Sequence, residues 1–120
     1  MKDESSRFLP LAPATLHILL SLAGEDRHGY GIMQAVEAET GGAMAMGPGT
    51  LYGSIDRLLR AGLIAESEGP AEIGPHRQQR RYYRLTDLGG RAMRAEIRRL
   101  EQAVEIARRK RLGIVRPGIT

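Results

Sequence analysis

Thr50, Tyr52, Ser54 and Arg57 place two hydroxyls, a phenol and a guanidinium close together on one short segment. These are short or planar hydrogen-bonding groups, suited to recognising a surface rather than to making bonds. They sit within the stretch Gly47 to Ile64, which reads as a helix with its own start and stop signals. Pro48 suits the first helical turn, where its missing N–H costs nothing, and Gly62 suits the position just past the last turn. Leu51, Ile55, Leu58 and Leu59 fall at i, i+4, i+7 and i+8, which is one helical face. Thr50, Ser54 and Arg57 are expected on the other face, with Tyr52 at its edge. A helix of about four turns, anchored along one side and polar along the other, has the size a DNA major groove admits.

The expected chemistry is therefore the reading of base edges. The Thr50 and Ser54 hydroxyls donate or accept, and the Thr50 methyl can meet a thymine methyl. Arg57 can span guanine O6 and N7, a contact that discriminates by about 1–3 kcal/mol. Two alternatives stay open. The Tyr52 ring either reaches a base or packs on the preceding helix, and Arg57 either reaches a base or pairs with an acid such as Asp56.

A second set of groups follows. From His76 to Arg84 there are four arginines and no acid, with Gln78 and Gln79 at the tip of a loop. Arg77, Gln78 and Arg80 are expected to hold phosphates or enter the minor groove. The opposing reading is a basic hairpin that is merely solvated. His28, at the start of a helix, is expected near the DNA backbone.

Charge is divided along the chain. Residues 1–75 hold 5 Lys/Arg against 10 Asp/Glu, net −5, and residues 76–120 hold 13 against 4, net +9. The acidic half contains the candidate reading helix. Affinity for a polyanion would then rest on the basic loop, doubled in a dimer.

The elements that must position these groups follow from periodicity. A first helix is expected from about Pro13 to Ala23, with Leu16, Leu19, Leu20 and Ala23 inward. After the turn Gly24 to Arg27, a second runs from about His28 to Thr40, with Tyr30, Ile32, Met33 and Val36 inward. The third is the helix described above. Leu63 to Glu68 and Arg80 to Leu85 then read as two strands. The loop between them is long, as functional loops are. Strand alternation puts Tyr83 with the core and Tyr82 and Arg80 on the opposite face. Thr86 caps a last helix, with Asp87 at its positive end, running to about Leu112. Three short helices and a hairpin make a winged helix-turn-helix. The fold class expected is mainly α with a small β-hairpin, plus a C-terminal dimerisation helix. Residues 1–86 would form the DNA-binding domain, 87–113 the dimerisation helix and 114–120 a tail.

On that last helix Met93, Ile97, Leu100, Val104 and Ala107 step by 4, 3, 4 and 3, a seam of coiled-coil type. The alternative is that this seam packs on its own domain. Leu9 and Leu11, with the first helix, are expected to close the same dimer interface.

Composition removes other classes. A chain of 120 residues is one domain with room for a core. Without cysteine it has neither disulfides nor thiolate metal sites. Its polar opening and its apolar stretch broken by Pro10, Pro13 and His17 resemble neither a signal peptide nor a membrane span. A soluble cytoplasmic protein is expected. His17, His28 and His76 are scattered and form no metal or nucleophile–base spacing, so neither an enzyme nor a cofactor is expected.

The segments His28-Gly29-Tyr30-Gly31-Ile32-Met33, Gly49-Thr50-Leu51-Tyr52, Arg57-Leu58, Gly62-Leu63-Ile64 and Arg81-Tyr82-Tyr83-Arg84-Leu85-Thr86 carry a resemblance. In order and spacing, from about Leu9 to Leu112, the chain resembles the PadR family of bacterial transcriptional regulators, in its short form. The resemblance implies a homodimer on palindromic promoter DNA, usually a repressor released by a small molecule. In the loop, Gly74 to Gln79 replaces the family's more compact basic turn. An effector between the domain and the dimer helix would meet Leu16, Leu20, Met93 and Ile97, which otherwise read as core. The competing class is a winged-helix module that docks an acidic protein without specific DNA binding, which the acidic first half favours.

Overall fold

A computed structural model of the chain describes residues 4–69 and 81–113. After a 3-10 turn (Glu4–Phe8) come α1 (Pro13–Ser21), β1 (Arg27–His28), α2 (Gly29–Glu39) and α3 (Pro48–Ala61). They are followed by β2 (Ile64–Ser67), β3 (Tyr82–Leu85) and α4 (Asp87–Arg109). The fold is mainly helical with a small antiparallel sheet, as the sequence predicts. The helix bounds agree closely, α4 ending three residues early because Arg111 and Gly113 take positive φ.

The sheet differs from the expected hairpin. Its order is β1-β3-β2, with Arg27 opposite Tyr83 and His28 opposite Tyr82. Two residues carry no periodicity, so β1 leaves no trace in the sequence pattern. It makes β3 the central strand, hydrogen-bonded along both of its edges. Tyr83 packs in the core as expected, but Tyr82, expected on the outer face, is buried too. The His28 ring meets the Tyr82 ring edge-on at 5.3 Å. Gly69 closes over it so tightly that a Cβ there would lie 2.3 Å from the ring.

The core is aliphatic. Ile18, Leu19, Ile32, Val36, Leu51 and Ala92 are wholly buried. On α1 the inward residues include Ile18 and Leu22 rather than Ala23, which is exposed because the helix ends before it. Tyr30, expected inward on α2, is 58% exposed. Ile32 and Val36 set the apolar stripe, and a residue two places before Ile32 lies on the far side of the helix.

The first turns of α4 belong to this core. Ala92 is buried within it, and Met93 and Ile97 pack against it. The N-terminal segment lies here too. Leu11 is buried and Leu9 packs beside it, so both pack on their own chain. Glu96, 2% exposed, fixes the arrangement. Its carboxylate accepts from Arg99 Nε at 2.7 Å and Arg99 Nη2 at 2.9 Å, and from the Leu11 backbone N–H.

Thr86 joins three elements. Its hydroxyl caps α4 by accepting from the Gly89 N–H at 3.0 Å and donates to the Gly62 carbonyl at 2.7 Å. Its own N–H donates to the Leu63 carbonyl at 3.2 Å. Gly89 is required beside it, since a Cβ there would sit 1.9 Å from the Leu63 carbonyl oxygen.

These contacts set the cost of substitutions in the first turns of α4. Gly89→Ala should lower stability by about 1–3 kcal/mol in urea denaturation, through forced overpacking against backbone. Gly90→Ala meets only the flexible end of Arg94, 3.2 Å away, and should be neutral or stabilising by up to about 1 kcal/mol. The hydrogen bonds from Arg99 hold the Glu96 carboxyl below its usual value. Its contribution to stability is therefore complete above about pH 5 and is lost as pH falls through its lowered value. Glu96→Gln should destabilise the fold at pH 7, with the gap to the parent protein closing in acid melts.

Candidate nucleic-acid interface

The reading helix is fixed at both ends by its own sequence. Pro48 occupies its first turn behind an extended Gly47. Gly62 ends it in the left-handed region at φ 79, letting its N–H and that of Leu63 return to the Leu59 and Leu58 carbonyls. A substituent at Gly62 would strain this reversal, which starts β2.

Leu51, Ile55 and Leu58 face the core as expected, and Ser54 joins them at 4% exposure. This corrects the expectation that Ser54 reads bases. It lies three residues after Leu51 and four before Leu58, inside the apolar stripe. Its Oγ accepts from Arg57 Nη2 at 3.2 Å. Arg57 is exposed but folded back along the helix flank, and Asp56 pairs with Arg60 rather than with Arg57. The face pointing away from the core is centred on Gly49, Gly53, Asp56 and Arg60. Nothing stands within 4 Å of where a Gly49 side chain would begin. Thr50 is exposed on the same flank as Arg57.

Tyr52 occupies the other flank. Its ring crosses Gly29 at the start of α2, with Oη 2.5 Å from the position of an added Cβ. Half the side chain nevertheless remains exposed, at 51%. His28 caps α2, its Nδ1 accepting from the Gly31 N–H at 3.0 Å. That bond commits one ring nitrogen to the helix. Tyr30 stacks parallel to the His28 ring at 6.5 Å. Sequence reasoning missed Tyr30 as a surface group, although its two-residue offset from Ile32 carried the signal.

Arg81, just before β3, and Arg84 on it are exposed, and Arg81 lies 3.6 Å from Glu66. Arg77, Gln78 and Arg80 lie outside the described residues. No group of three His, Cys, Asp or Glu able to hold a metal occurs among the described residues. No described helix is long and apolar enough to cross a membrane.

The seam of α4 divides in two. Met93 and Ile97 pack on their own domain, whereas Leu100 is 37% exposed and Val104 and Ala107 are half-buried. Beside Leu100 and Val104 runs an open groove edged by Arg98, Glu101, Glu105 and Arg108. Of the expected effector residues, Leu16 is core and Leu20, Met93 and Ile97 pack against it.

This geometry coincides with a family match. Residues 18–95 fit the profile of the transcriptional regulator PadR-like family. The chain belongs to that family. Membership makes it a DNA-binding transcriptional regulator and not an enzyme. Among solved structures it is similar to a transcriptional regulator from Clostridium thermocellum, at 25% identity and TM-score 0.63, over 81% of this chain and 90% of that one. PadR of Bacillus subtilis in complex with operator DNA shares the fold, at 20% identity and TM-score 0.57, over 73% of this chain and 48% of that one. So does BpsR of Bordetella bronchiseptica, at 20% identity and TM-score 0.64, over 94% and 71%. A comparison with curated proteins finds no match.

The contact between Tyr52 and Gly29 is testable in this PadR-like chain. Gly29→Ala should push the ring off α2 and, with Tyr52 in the proposed role, weaken duplex DNA binding in a gel-shift titration. The loss of thermal stability should be smaller than for Gly89→Ala, because a half-exposed ring can swing outward.

Proposed function

We propose that this PadR-like chain is a homodimeric repressor that binds an inverted repeat in promoter DNA and is released by a small molecule. The single observation that carries the dimer is the apolar stripe of α4. It packs on the core through Ile97 and continues beyond that core through Leu100, Val104 and Ala107. A second copy of α4, roughly 34 Å long, covers that stripe. In this reading residues 87–113 supply the pairing helix, 1–86 the DNA-binding unit and 114–120 a tail. Leu9 and Leu11 contribute from beneath, by fixing the N-terminal segment on α4.

A twofold pair sets two α3 helices on half-sites about 34–36 Å apart, or a multiple. Thr50 and Arg57 on one flank and Tyr52 on the other reach base edges past the open backbone at Gly49 and Gly53. Ser54 acts from below by holding Arg57. His28 positions the start of α2 near a phosphate. Arg77, Gln78 and Arg80 of the wing provide the grip that the net-acidic first 75 residues lack. The B. subtilis PadR structure with operator DNA supports this docking. BpsR, whose DNA binding is regulated by 6-hydroxynicotinic acid, supports release by a ligand. The protein would act in the cytoplasm, where its promoter lies.

The test joins sedimentation to gel shifts across a salt series. The chain should sediment as a dimer and protect an inverted repeat in footprinting. Arg77→Ala and Arg80→Ala should weaken binding to all sequences and reduce the salt slope by about 0.9 per lost phosphate contact. Arg57→Ala and Thr50→Ala should instead flatten the preference for the repeat. Monomers in dilute buffer, or an unchanged salt slope without the wing arginines, would refute the reading.

A further inference from the structure

Between the N-terminal segment and the flank of α3 lies a cleft of about 200 Å³. Phe8 and Leu11 form one wall, and Leu58 and Leu63 the other. Three polar side chains, Thr15, Ser54 and Arg57, also line it, and no carboxylate does. An apolar cavity of about 150 Å³ takes up benzene, so this volume suits one ring or a branched alkyl group.

Arg57 supplies the charge. Its guanidinium donates to the Ser54 hydroxyl and meets no carboxylate among the described residues. A guanidinium held by one neutral oxygen retains a planar fork of donors, the arrangement that takes a carboxylate in bidentate fashion. Greasy walls with a few convergent polar groups are the usual composition of a small-molecule site.

We infer that this cleft binds a small organic monocarboxylate with a compact apolar body, its carboxylate held by Arg57 and its body between Phe8, Leu11 and Leu58. The inference rests on the reading above, in which Arg57 touches the duplex and a ligand ends binding. Arg57 belongs to the reading helix and to the cleft at once. A ligand that captures it withdraws a contact from the DNA, so acid and duplex compete for one side chain. Packing at Leu16, Leu20, Met93 and Ile97 is left undisturbed.

The test titrates cyclohexanecarboxylate, and cyclohexylmethanol as its neutral counterpart, into the isotope-labelled full chain. Saturable shifts are expected at the amides of Leu11, Thr15, Ser54 and Arg57, with the alcohol binding about tenfold more weakly for want of the charge-assisted bonds. Arg57→Gln should abolish the preference for the acid. Ala61→Leu, which fills the cleft without touching the DNA contacts named above, should abolish binding of both probes while gel shifts without ligand stay normal. The acid should also weaken the parent protein's grip on its repeat, and not that of Ala61→Leu. Equal binding of acid and alcohol, shifts confined to distal α4, or no saturable shift would overturn the cleft as an acid site. Shifts at these amides that follow protein dilution instead would show a second copy in the cleft and overturn it too. Acid that binds without loosening DNA would overturn the competition. Protein that holds its repeat but ignores the acid sinks this inference alone; protein that ignores the repeat sinks the regulator reading, and the titration still judges the cleft.

Discussion

The Thr86 hydroxyl sits between two carbonyl-bearing turns, donating to Gly62 at 2.7 Å and accepting from the Gly89 N–H, while the Thr86 N–H reaches Leu63. The end of α3, the start of β2 and the first turn of α4 are thereby joined through one residue. Gly89 has no side chain, so the start of α4 rests directly on the Leu63 carbonyl. Hydrogen bonds in a partly buried corner are individually modest, about 0.5–1.5 kcal/mol net. Their value here is geometric. The angle between α3 and α4 is set at this corner, and with it, in the proposed dimer, the span between the two α3 helices.

Around that corner the molecule solves an electrostatic conflict by separation. The outer side of α3 has two glycines, an internally paired Asp56 and Arg60, and an Arg57 turned to Ser54. Little free charge is presented there, which suits discrimination by shape and hydrogen bonding. The arginines are gathered instead in the sequence that follows. In the proposed docking, phosphate grip and base reading thus fall to different elements, a division common to protein–DNA recognition.

The reading helix is legible to the residue because Pro48 and Gly62 act locally and need no tertiary partner. The apolar stripe is legible too, yet Ser54 is misplaced when judged by residue type, although its spacing from Leu51 and Leu58 puts it inside. Tyr30 is misplaced the same way in reverse, an aromatic ring assumed inward against its angle. Tyr82 cannot be read at all. Its burial depends on β1, two residues whose pairing arises only when the chain folds back. The fate of Leu9 and Leu11 is equally hidden, since nothing in their spacing announces that the Glu96 carboxylate anchors the Leu11 backbone. Arg57 stands out in the sequence as a special side chain, while its bond to Ser54 requires the helix to be seen.

Because one unbroken greasy ribbon on α4 serves the subunit's interior first and carries its far end beyond it, damage to it has two distinct signatures. A truncation at Ala92 or Met93 is felt by the lone subunit, which loses cohesion whether or not a companion is present. In the proposed dimer, the same loss at Val104 or Ala107 leaves a solitary subunit intact and is felt only on association. On that reading, inherited change along this single helix retunes how scarce the regulator must become before it lets go of its genes, without eroding the globule that does the reading.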